Sequence, residues 1–117
     1  MEKIVQKIKK QYNNEIEVGI KYFALICVLN DIPITLRELQ LLSFIATKGS
    51  ISSKRYKQEF MSMFSTTFSY TNALVTLLTK KHLVVKKDGK KILAPQFLKD
   101  FSKDIFLQLN INAKETK

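Results

Sequence analysis

Leu83-Val84-Val85-Lys86-Lys87-Asp88-Gly89-Lys90-Lys91-Ile92-Leu93 reads as strand, turn and strand. Asp-Gly is a strong two-residue hairpin signal, because the tight turn that matches the twist of paired strands needs positive φ at both central positions. Four lysines crowd this hairpin, with Asp88 alone at its tip. What surrounds it is helical in pattern. Upstream, Ser65 can cap a helix running to about Lys81, in which Ala73, Leu74, Leu77 and Leu78 recur at helical spacing and make an anchored side. Its first turns are short polar groups with one aromatic: Thr66, Thr67, Ser69, Tyr70, Thr71 and Asn72. Ser69, Tyr70, Asn72 and Thr76 share the face opposite Leu74 and Leu78.

Further upstream, Thr35-Leu36-Arg37-Glu38 is a capping box: the threonine side chain accepts from the third amide while the glutamate reaches back to the Thr35 amide. Leu36, Leu39, Leu42, Ile45 and Ala46 hold one face through Lys48, and Gly49 supplies the left-handed residue that often closes a helix. Ser50-Ile51-Ser52 has room for one strand rung. Ser52 or Ser53 can cap a second helix through Phe60, with Lys54, Arg55 and Lys57 at its start and Tyr56 and Phe60 facing inward. Ser62-Met63-Phe64 then reads as the turn before the third helix.

The two ends carry weaker patterns. Ile4, Val5 and Ile8 stand at helical spacing among Lys3, Lys7, Lys9 and Lys10, which predicts a short amphipathic helix over Met1 to Tyr12, ended by Asn13-Asn14. A buried helix from about Val18 to Leu29 and a turn at Asn30-Asp31-Ile32-Pro33 follow. Pro95 suits the first turn of a last helix, striped by Phe97, Leu98, Phe101, Ile105 and Leu109 opposite Lys99, Asp100, Lys103 and Asp104. The expected fold class is mainly α with a small β-hairpin, a winged helix-turn-helix. The 117 residues make one domain, with a winged-helix core over 34–95, an N-terminal helical extension over 1–33 and a C-terminal helix over 95–111.

Four segments resemble MarR-type transcriptional regulators: Ile34 to Gly49, the rung Ser50-Ile51-Ser52, the run from Tyr70 to Val84, and the exit Ile92-Leu93-Ala94-Pro95. Together they span about half the chain. His82 stands where that family usually has Gly, and Ala73 where it often has an Arg that contacts DNA. The resemblance implies a DNA-binding winged helix, and it implies outer helices that make a homodimer. Here Ile4, Val5 and Ile8 with Phe97, Phe101, Ile105 and Leu109 are the residues for that dimer, or for completing one monomer's core.

Charge points to the same partner. Twenty Lys and Arg stand against ten Asp and Glu, a balance that attracts polyanions. The excess is local: Lys48 to Lys91 holds ten basic residues and only Glu59 and Asp88 as acids. A helix fits the major groove of double-stranded DNA, where Asn72 can pair with adenine while Thr66, Thr67, Ser69, Tyr70 and Thr76 meet base edges or phosphates, and the resemblance implies that Ala73 also lies at the DNA. Lys86, Lys87, Lys90 and Lys91 suit phosphate contact, and so do Lys54, Arg55 and Lys57. The same lysines also suit a solvated edge that resists aggregation, and the same polar residues suit simple capping. Leu77 is out of place on a DNA-reading helix. Exposed, it points to the alternative of a protein-interaction module within a nucleoprotein or virus-like assembly.

Other function classes find little support. One Cys and one His on different elements cannot make a usual zinc site, and Gly49 and Gly89 stand alone rather than in a phosphate-binding loop. No enzyme and no cofactor are expected. Lone Cys27 lies in the apolar run Tyr22 to Leu29, where a thiol acts as a small hydrophobe, so a reducing, cytoplasmic setting is expected, nucleoid-associated if the chain binds DNA. That run is far shorter than the roughly 20 residues needed to span a bilayer, and no membrane partner is expected.

Overall fold

The computed structural model describes residues 4–113. Among these described residues, four helices, α1 (Glu15–Leu29), α2 (Leu36–Lys48), α3 (Lys54–Phe64) and α4 (Phe68–Lys80), precede an antiparallel hairpin of β1 (Val84–Lys87) and β2 (Lys90–Leu93). None of the described helices is long and apolar enough to cross a membrane.

Helix α2 is the centre of the packing. Thr35 and Glu38 form the expected capping box, and Gly49 closes the helix at φ 97°. Burial is not confined to one face, however. Every residue from Glu38 to Ala46 except the half-buried Gln40 is buried, while Leu36, expected in the inward stripe, is exposed. The helix is enclosed because α1, α3, α4 and β2 all pack on it. Leu41, Leu42, Phe44 and Ile45 meet Phe23 of α1, Phe60 of α3, Leu74 and Leu78 of α4, and Val84 and Leu93 of the hairpin in a single core. Phe44 and Phe60 meet edge to face at 5.5 Å, a favoured aromatic geometry.

Helix α1 begins three residues before the expected Val18. Asn13-Asn14 does not end a preceding helix but starts this one: the Asn14 side chain accepts from the Glu17 amide at 2.9 Å, and Glu17 accepts from the Asn13 amide at 3.1 Å. Gly19 lets α1 lie tightly on α2, since a Cβ there would stand 2.1 Å from Ser43 Oγ and 3.0 Å from the Phe101 ring. The Ser43 hydroxyl fills that approach by donating to the Ile16 carbonyl at 2.7 Å.

Helix α3 also differs from expectation. It continues through Ser62-Met63-Phe64, and Ser65 is its left-handed cap at φ 51° rather than the start of the next helix. Arg37 secures this end by donating to the Phe64 carbonyl. Helix α4 therefore starts at Phe68 with Thr67 as its cap. The hairpin forms as read: Asp88 and Gly89 both have positive φ, and Lys87 pairs with Lys90. His82 takes the left-handed conformation at φ 62°, as a helix-ending position requires.

Neither expected terminal helix is present among the described residues. Residues 4–12 are irregular, with Ile4, Val5 and Ile8 exposed; Met1 to Lys3 of that expected helix lie outside the described residues. Residues 95–111 are also irregular. Asp100 takes the amide and hydroxyl of Ser102 on its own carboxylate, which competes with helical bonding and holds the Asp100 carboxyl below its usual pKa. Phe101 is buried against Tyr22 and Phe23 of α1 at ring distances of 5.6 and 6.0 Å, and Phe97 meets Phe23 at 5.6 Å. Of the stripe read as a dimer face or as completion of the monomer's core, Phe97, Phe101 and Ile105 thus pack on the body of their own chain, while Leu98 and Leu109 are exposed.

Candidate nucleic-acid interface

The segment from α3 to β2 holds every candidate site residue. At 3.6 residues per turn, α4 turns Thr71, Leu74, Val75 and Leu78 into the core. Ser69, Ala73, Thr76 and Lys80 face outward, with Tyr70 and Leu77 on one flank, all exposed. Asn72 lies on the other flank and is half-buried. Ala73 and Leu77, expected on the anchored side, are therefore outside it, and Val75 takes their place. The threonines divide by role. Thr71 is buried and its hydroxyl donates to the Thr67 carbonyl at 2.8 Å, whereas the Thr76 hydroxyl donates to Asn72 at 3.1 Å and keeps its lone pairs toward solvent.

Thr66 and Thr67 sit in the turn before α4 rather than in its first turn. Thr67 spends its hydroxyl as the cap, accepting from the Tyr70 amide at 3.1 Å. Both remain beside the N-terminal end of the helix. At the start of α3, Lys54 is exposed and Arg55 reaches Glu59 at 3.3 Å. Lys57 is half-buried, its ammonium 5.4 Å from the centre of the Phe68 ring, a cation–π contact that ties α3 to the first residue of α4.

Lys91 is the joint of the arrangement. Its carbonyl accepts from the Ile51 amide at 3.1 Å, its amide donates to Ser52 Oγ, and its ammonium lies 3.4 Å from Thr79 Oγ1 on α4. One residue thus connects the segment leading into α3, the hairpin and the flank of α4. Ile51 provides a single backbone bond to β2 and no strand of its own, close to the one rung expected. Lys91 itself is half-buried by these contacts, so it is held less free for phosphate than its neighbours. Lys86, Lys87 and Lys90 are exposed.

Two acids near this surface are occupied elsewhere, while Asp88 stays exposed at the hairpin tip. Glu59 pairs with Lys48 at 3.2 Å and with Arg55, and the Lys48 bond above all holds its carboxyl below the usual range. Glu38 is buried and binds Lys81 at 2.7 Å. Burial works to raise its pKa, but the Lys81 ammonium and the Thr35 amide and hydroxyl outweigh burial, and the net shift is downward. Lys81 also donates to the Pro33 carbonyl at 2.6 Å, so it serves as a clamp between the end of α4 and the start of α2. Among the described residues, Lys54, Lys57, Lys86, Lys87, Lys90 and Lys91 have no carboxylate in ion-pair range.

Three contributors escaped sequence reasoning: Lys81, Arg37 and the joint role of Lys91. The capping box marked Glu38, but its second oxygen is satisfied 43 residues away, and no local spacing signals that. No protein-family model matches the chain, nor does any curated protein or solved structure.

Proposed function

We propose that this chain is a winged helix-turn-helix protein that binds double-stranded DNA inside the cell, most simply as a transcriptional regulator. Helix α4 enters the major groove, β1 and β2 form the wing on flanking phosphates, and the start of α3 grips the backbone beside them. The observation that carries the proposal is the Lys91 joint. It holds a lysine hairpin against a helix whose outer face is polar, with its unpaired cations on the same segment of chain. Phosphate neutralisation by such cations gives affinity without sequence preference, while in this reading Ser69 and Thr76 on the outer face, with Tyr70 and Asn72 on its two flanks, meet the bases. With Ala73 on the outward line of α4 and Asn72 half-buried, the base-reading set is small beside the phosphate-gripping one.

Selection from random duplexes at two salt concentrations tests this. The expected outcome is salt-dependent binding with modest sequence enrichment, lost on Tyr70→Ala and Asn72→Ala at a cost of about 1 to 3 kcal/mol each for the selected sequence. Indifference of binding to α4 and to the hairpin would refute it.

Tyr70 and Leu77 favour a second reading, because both are close to half exposed on the same flank of α4. In that reading the winged helix is a protein-interaction module of a nucleoprotein or virus-like assembly. It predicts no duplex affinity at physiological salt and a partner whose binding is abolished by Leu77→Asp.

A further inference from the structure

Residues 4–12 approach α1 without helix or strand. Lys7, Lys9 and Lys10 are exposed along them, and no acid occurs from Ile4 to Asn14. The base of this arm is fixed by the Asn13 and Asn14 caps of α1. Asn14 and Glu17 share the walls of a surface groove with Met63 and Phe64 at the end of α3. Phe64 is followed directly by Ser65, the left-handed turn residue, and then by Thr66 and the α4 cap, Thr67. Three residues of chain span at most about 10 Å. The arm therefore leaves the body on the side of the α3–α4 turn, a groove's width and three residues from the N-terminal end of α4, whereas the hairpin meets α4 through Thr79 near its C-terminal end.

We propose that residues 4–12 are a second phosphate-binding arm, which lies on duplex DNA beside the N-terminal end of α4 and brackets that helix together with the hairpin. The proposal rests on the DNA-binding reading of α4 and the hairpin. Its reach is sufficient: nine residues at roughly 3.3 Å each extend about 30 Å, against a major groove about 12 Å wide. Its lack of regular structure follows from its length, since an isolated helix of this size is marginal in water. The lysines carry their charge to the backbone without needing a fixed conformation.

The test is a salt titration of duplex binding by fluorescence anisotropy, using a random-sequence duplex, the full chain and three variants. In Lys7→Ala/Lys9→Ala/Lys10→Ala the slope of log affinity against log salt is expected to flatten by about 2 to 3, at roughly 0.9 per phosphate contact. Affinity near 0.1 M salt should fall on the order of tenfold or more. The corresponding triple Lys→Arg variant should bind as the parent does. An unchanged slope in the alanine variant, with the parent binding normally, overturns the arm and leaves the α4 reading standing. If the parent fails to bind any duplex, both fall. Ile4, Val5 and Ile8 are 96%, 78% and 77% exposed and would also suit a lipid surface, so Ile4→Asn/Val5→Asn/Ile8→Asn is assayed on phosphatidylserine vesicles as well as DNA. Retained duplex binding is expected. Vesicle binding that needs these three residues and the lysines, with a duplex slope indifferent to the lysines, assigns the arm to an anionic membrane and contradicts the proposal.

Discussion

Residues 36–46 and 97–109 carry the same kind of apolar spacing, yet one is a helix and the other is not. The first has a reciprocal cap at Thr35 and Glu38, a left-handed glycine at its end and neighbours around most of its circumference. The second follows Ala94, whose amide donates to the Leu83 carbonyl and whose short side chain offers no cap oxygen. Asp100 then diverts the local backbone bonds, and only Phe97, Phe101 and Ile105 find a surface to lie on, while Phe106 is almost wholly exposed. Periodicity marks residues that want burial. Caps, and a body on more than one side, decide whether burial takes helical form.

The strongest way to break the contrast is to remove what encloses α2. Glu38→Ala deletes the cap acceptor and takes the carboxylate from a Lys81 ammonium that still reaches water and the Pro33 carbonyl, and loss of a charged hydrogen bond together with the cap costs about 2 to 4 kcal/mol; urea unfolding at pH 7 measures it. The pair also has a pH signature. Because the folded pKa of Glu38 is depressed, its stabilisation is present above the unfolded value of about 4.3 and lost as pH falls through the lower folded value. Glu38→Gln should therefore lower stability at pH 7 and flatten the acid limb of the stability curve.

A smaller effect is expected where α1 meets both regions. Gly19→Ala places a methyl group against Ser43 and Phe101, and the resulting overpacking is expected to lower stability by about 1 to 3 kcal/mol. If thermal melting shows no change, the close approach of α1 to α2 is incorrect. Thr35→Ala isolates the cap alone, at about 1 kcal/mol. At the other extreme, Phe106→Ser should alter stability by less than about 0.5 kcal/mol, as for a surface substitution. A larger loss would mean that the C-terminal run is packed after all.

Much of the fold was legible wherever the deciding interactions are local. Thr35 with Glu38, Gly49, and Asp88 with Gly89 each settle their own geometry within three or four residues, and all three signals were readable in the chain. Ser65 was ambiguous because serine serves both as a helix start and, less commonly, as a left-handed stop; here its amide and that of Thr66 donate back to the Met61 carbonyl, and Arg37 binds the Phe64 carbonyl beside them. Asn13-Asn14 was ambiguous in the same manner, since asparagine ends helices and begins them. Of the candidate interface, the lysines of the hairpin and the outward position of Ser69 and Thr76 were readable from spacing. Ala73 and Leu77 were readable both on the anchored side and on the outer one, and the packing of Val75 and Thr71 in the core decides for exposure. Pairings such as Lys81 with Glu38, or Lys91 with Thr79 and Ser52, arise only from the tertiary arrangement.

Backbone amide NMR during titration with a short duplex shows whether α4 and the hairpin together face DNA. Shift changes are expected at 54–57, 66–80 and 86–91, with the buried residues of α2 and the body of α1 little affected. Changes centred on α1, or none at saturating duplex near 0.1 M salt, would contradict it.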